Sequence, residues 1–221
     1  MKSFLFVTGV RCIVLGAVAF WAIESIRAID IVRLGSLLPW LPFLGGLAGY
    51  AVLWALALRR NQTFSFWETT DHELMHALGA ILTLRGVRGL SSSSSAGGKV
   101  EVERPNAVVA MMPYLVSGPL LVVSTLAAIC SERWESVADV LLGVAFSYHV
   151  IRVVRTVHPR QTDLRYLSFL FSVGLILSAI VITAFVVIGL TSVSEGDVGR
   201  YVARTWALVV LDFSSMMGIS K

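Results

Sequence analysis

The stretch TTDHELMHALGAILTL, Thr69 to Leu84, decides how this chain is read. His72 and His76 stand four apart, Glu73 follows the first of them, and an apolar run closes the segment. On a helix, residues four apart share a face, with Cβ atoms about 5–6 Å from one another. Two imidazoles so placed can bind one tetrahedral zinc ion. Glu73 is turned away by one residue, so it reaches a water activated by the metal rather than the metal itself. That position suits a general base. A motif with three defined positions recurs by chance in soluble helices. Here, however, the two histidines, Glu73 and the adjacent Asp71 lie in an apolar span. A charge at membrane depth costs about 2.5–3.5 kcal/mol even on insertion scales, so such groups need a partner. A divalent cation would serve all three motif side chains.

Composition supports the membrane setting. Of the 221 residues, 56% are hydrophobic and only 14% are charged, against about 25% charged in soluble domains. The net charge of +4 does not indicate nucleic acid. The basic residues fall between apolar runs, as the positive-inside rule expects. Cys12 and Cys130 lie in or beside apolar segments and fit no zinc pattern.

A spanning helix needs about 20 mostly apolar residues. Six stretches qualify: Phe4–Ile23, Pro39–Leu58, Phe64–Leu84, Ala107–Cys130, Val137–Val157 and Leu164–Leu190. The first has a single basic residue before it, Lys2, and no small-residue cleavage site, so it reads as a retained span rather than a signal peptide. Ile26–Leu38 and the tail from Ser194 to Met217 read as interfacial helices. The expectation is therefore an all-α polytopic membrane protein of about six transmembrane helices. Residues 1–62 would hold two spans and an interfacial helix, residues 63–190 the core, and residues 191–221 an interfacial tail. Lys and Arg counts favour the side carrying Arg27, Arg33, Arg85, Arg88, Lys99, Arg104, Arg155 and Arg160 as cytoplasmic, which puts both termini outside.

Between the third and fourth spans lies RGVRGLSSSSSAGGKVEVERPN. Its serine run suits a flexible linker. Equally, Gly97-Gly98 suits a two-residue turn, and KVEVE alternates at strand period, with Val100 and Val102 on one face and Glu101 and Glu103 on the other. A small β-hairpin is the competing reading.

A catalytic zinc takes a third protein ligand and keeps one position open. No third histidine follows the motif closely, so a distant segment must supply the ligand. The candidates lie in SYHVIRVVRTVHPRQTDLRY: Asp163, preferred because it stands at the start of the last span, then His149 in the fifth span and His158 in the loop. Asp163 would also serve as a helix N-cap, and His149 as an ordinary bundle histidine.

Together, HELMHA on a membrane helix, a turn-rich segment with GG, the proline-containing MMPYLVSGP and a late QTDL resemble the site-2 protease family of intramembrane zinc metalloproteases. The resemblance covers roughly Phe64 to Leu190, with two extra spans upstream. It implies zinc as cofactor, His72, His76 and Asp163 as its ligands, Glu73 as base, and membrane-anchored proteins as substrates. The family's usual Asn-Pro-x-Pro before Asp-Gly is absent. HPRQTDL stands in its place, with Leu164 where glycine is common, which is closer to a divergent branch. Gln161 and Asn106 are candidate oxyanion donors, and the KVEVE edge a candidate strand-addition site through Val100 and Val102. Met112, Pro113, Gly118 and Pro119 are placed to bend the fourth span. The expected location is a prokaryotic cytoplasmic membrane, with the hairpin and the site opening facing the cytoplasm. Two other functions compete: a catalytically silent membrane metal-binding scaffold and, less favoured, a metal transporter.

Overall fold

The structure, a computed structural model, describes residues 38–93, 97–129 and 132–192. The first expected span, nearly all of Ile26–Leu38 and the tail lie outside the described residues, as do Cys12 and Cys130. What is described is mostly helical, with one small antiparallel sheet.

Helix α1, Leu41–Leu56, opens with Pro42 in its first turn, where the missing N–H costs nothing. Asn61 caps helix α2, Gln62–Leu82, its side chain accepting from Phe64 N–H at 3.0 Å. The chain leaves α2 through Leu84, at φ +54°, and Arg85 N–H closes the last turn on Ala80 O at 2.8 Å. Strands β1, Val87–Ser93, and β2, Gly97–Val102, follow. Helices α3, Ala107–Leu115, and α4, Gly118–Ile129, meet at a bend of 68°. Helix α5, Glu135–Thr156, the short α6, Thr162–Arg165, and α7, Phe169–Ser192, complete the order.

Gly46 and Gly143 set the packing of α1 on α5. A Cβ at Gly46 would strike the Val140 carbonyl, and one at Gly143 would strike Phe43 O and Leu47 N. Small residues let two helix backbones close up where lipid offers no hydrophobic drive. Helix α2 packs on α3 along one side and beneath both strands along another. One apolar core joins α1, α4, α5 and α7 around Phe43, Leu120, Leu142 and Val187. A second joins α3, α5, α6 and α7 around Met111, Tyr114, Val153, Leu164 and Ile176.

The described part of the serine run is strand rather than linker: Ser91, Ser92 and Ser93 pair with Lys99, Gly98 and Gly97. The glycine pair is not the turn. Both glycines belong to β2, and Gly97 takes φ +80°, a conformation that L side chains rarely adopt.

The expectation of six spans is corrected for the described residues. Two helices are long and apolar enough to cross a membrane, Glu135–Thr156 and Phe169–Ile188, or three if the bent α3–α4 pair is one span. Helix α1 is apolar but has only 16 residues. Helix α2 is long enough at 21 residues, but Glu68, Asp71, Glu73 and the two histidines break its apolar character. The bend between α3 and α4 falls at the expected residues. Pro113 lies inside α3, and Val116 and Ser117 separate the two helices.

Candidate metal centre

Helix α2 buries one side of its middle. Asp71, His72, Glu73, Met75 and His76 are all at most 9% exposed. The i, i+4 spacing brings the two imidazoles to 4.9 Å between centroids, edge to face. The orientation of His76 is fixed from α3: its Nδ1 lies 2.7 Å from the Val109 carbonyl. A carbonyl can only accept, so Nδ1 carries the proton and Nε2 presents a lone pair. Asn106 supports this contact by capping α3, its Oδ1 accepting from Val109 N–H at 3.0 Å.

Asp163 arrives from α6, across the cavity from α2. Leu164, where the resembled family favours glycine, is fully buried in the second core. Its carbonyl accepts from Ser172 Oγ at 2.9 Å, which ties α6 to α7. So anchored, the turn holds Asp163 Oδ2 at 3.6 Å from His72 Nε2 and 3.3 Å from His76 Nε2. Among the described residues these three form the one group of His, Cys, Asp or Glu whose ligand atoms converge, all within 4.8 Å of one another. Ligand bonds of about 2.0–2.2 Å in a tetrahedron put neighbouring donor atoms about 3.4 Å apart. The two Asp163 separations match that spacing, and the donor set could hold a metal ion. Tyr114 sits behind the group, its ring edge-on to His72 at 5.5 Å and its hydroxyl 3.5 Å from Asp163 Oδ2. Gln161 Nε2 approaches the same oxygen at 3.4 Å.

A second carboxylate on α2 faces elsewhere. Asp71 accepts from Gly118 N–H at 2.8 Å and from Tyr148 Oη–H at 3.1 Å, and lies 3.5 Å from Arg152 Nη1. Arg152, 2% exposed, donates through Nη2 to the Pro113 carbonyl at 2.5 Å and that of Val116 at 3.3 Å. One arginine thus satisfies carbonyls freed where α3 breaks, and couples that break to the residue preceding His72. The sequence reading missed this network because its members are spread from residue 71 to residue 152.

A cavity of about 1400 Å³ opens over the site. Its lining includes His72, Glu73, His76, Asp163 and Gln161, with Gly97 to Pro105 along one wall. Val100 and Val102 are therefore wall residues. Asn106 is not, and its oxygen is committed to the α3 cap. His149 is fully buried on α5 and does not join the converging group. His158 is exposed, and its Nδ1 accepts from Arg160 N–H at 3.1 Å. Also on the lining, Arg155 Nη1 meets Glu68 Oε2 at 2.6 Å. On β2 the exposed Lys99 and Glu101 pair at 2.8 Å, which raises the ammonium's pKa and lowers the carboxyl's.

No family model matches the chain, and neither curated proteins nor solved structures give a significant match.

Proposed function

We propose that the chain is an intramembrane zinc metalloprotease of site-2 type, which hydrolyses peptide bonds in or near the transmembrane segments of membrane-anchored proteins. The observation that carries this reading is the convergence of His72, His76 and Asp163 beside Glu73 at the floor of one open cavity. Three protein ligands with room for a fourth are the arrangement of catalytic rather than structural zinc. A metal transporter would need polar side chains continuing past the site. Instead Leu164, Met111, Tyr114 and Ile176 pack behind it.

His72, His76 and Asp163 would bind the ion, which when bound polarises a carbonyl and lowers the pKa of water to about 7. Glu73 accepts the proton of the attacking water and returns it to the departing amine nitrogen, so the peptide bond breaks with one water consumed. The Val109 carbonyl and Tyr114 keep the imidazoles in position. A transmembrane helix hides its carbonyls in its own hydrogen bonds, so the substrate must unwind locally before attack. The wall strand β2 offers its backbone to the unwound segment. The cavity admits water from the hairpin side. We place the site within a multi-pass assembly of a prokaryotic cytoplasmic membrane, opening toward the cytoplasm.

Glu73→Gln tests this reading. Cleavage of a membrane-anchored substrate in proteoliposomes should fall about 10²–10⁴-fold, with zinc content unchanged. Equal cleavage by this variant would contradict the proposal.

A further inference from the structure

The wall strand and the base are in contact, and that contact occupies the position a substrate strand would take. Glu103 N–H bonds to Gly86 O on the β1 side at 2.8 Å. The irregularity in the ladder belongs to β1, between Val87 and Gly89, so β2 itself runs regularly. Backbone groups along a strand alternate sides. Glu101 and Lys99 therefore turn their amides to β1, whereas Val102, Val100 and Gly98 turn theirs to the opposite edge. Among the described residues that edge has no strand partner, and it borders the cavity.

Glu73 reaches this edge. Its carboxylate lies beside Gly98, at the edge to which the Val100 amide is turned. Gly98 lies flush on the same side chain: a Cβ there would overlap Glu73 Cγ and come within 2.8 Å of its Oε1 and of Thr69 Cγ2. Thr70 Oγ1 and Ser92 Oγ, 2.7 Å apart, hold β1 down on α2 beside this contact. Glycine at position 98 is thus what allows the strand to approach the carboxylate so closely.

We infer that Glu73 and β2 form a latch: the Val100 amide holds the carboxylate of the base until an incoming extended backbone takes that amide. Strand addition and release of the base are then one event. A water in the resting site meets a carboxylate already committed to the strand, and only a segment unwound enough to pair with β2 frees it. The inference rests on the reading of Glu73 as the base. It adds a selection for extended peptide that depends on the backbone rather than on side chains.

The test needs no hydrolysis. In protein labelled with ¹⁵N-valine and held in detergent micelles, the Val100 and Val102 amides are compared by hydrogen exchange. A hydrogen bond to a charged group slows exchange by about tenfold or more. Glu73→Ala should speed Val100 by about tenfold and leave Val102 unchanged, with Glu73→Gln between the two. Binding of an alternately N-methylated valine decapeptide, which pairs through one edge and resists cleavage, should tighten by about tenfold in Glu73→Ala, because no latch has to open. Unchanged Val100 exchange, or weaker peptide binding in that variant, overturns the latch. If Glu73→Ala shows both effects and the wild type cleaves nothing, the proposed hydrolysis is overturned and the latch stands.

Discussion

Asp71 is buried and Asp163 is half-buried, and the two are surrounded quite differently. Asp71 has two donors, the Gly118 amide at 2.8 Å and the Tyr148 hydroxyl at 3.1 Å, with Arg152 nearby. Asp163 Oδ2 has four neighbours between 3.3 and 3.6 Å, namely two imidazole nitrogens, a phenol and an amide. None is close enough to be a good hydrogen bond. The separations from the imidazoles, 3.6 and 3.3 Å, are close to the spacing of about 3.4 Å between ligands of one tetrahedral ion. One carboxylate is satisfied by the protein and holds the helix; the other belongs to a group that could hold a metal ion. Charge in an apolar bundle is therefore not one signal but two, and partner distances separate them.

The comparison breaks first at Arg152. Removing one member of a buried ion pair typically costs about 3–5 kcal/mol, so Arg152→Ala should lower the thermal midpoint in detergent more than any site variant. Asp163→Ala should leave that midpoint near the metal-stripped wild type. If the two variants are equally destabilised, the division between a structural and a ligating aspartate fails. Tyr114→Phe sharpens the Asp163 side. Outer-shell partners of metal ligands are worth about 10–100-fold in affinity, so zinc competition with a chelator should show weaker binding, with unfolding little changed. Gly143→Ala is expected to have a smaller effect. Overpacking costs about 1–3 kcal/mol, and separating α1 from α5 should lower stability without moving zinc affinity, because neither helix carries a ligand.

How much of this was legible in the sequence follows from the range of each interaction. His72, Glu73 and His76 are readable because helical spacing is local, and the structure sets both rings on one face. Asp163 could only be offered with His149 and His158 as alternatives. What brings it to the pair is Leu164, buried in a core assembled from four helices. The hairpin was readable from the alternation in KVEVE, but its turn was misplaced, because both glycines belong to β2: Gly98 serves a close approach to Glu73, and Gly97 takes a positive φ inside the strand. Six spans were expected from hydropathy. For α2 that reading counted the apolar residues and discounted Glu68, Asp71 and Glu73, which the fold shelters on a polar interior face. The Asp71–Arg152 network left no trace in the sequence beyond two charges in apolar surroundings.

The central claim is that two distant segments hold one zinc ion, and metal analysis of the purified protein tests it most directly. The account predicts one zinc per chain in the wild type, in Glu73→Gln and in His149→Ala, and loss of it in His72→Ala, His76→Ala and Asp163→Ala. A wild type without zinc, or an Asp163→Ala variant that retains it fully, would contradict the account.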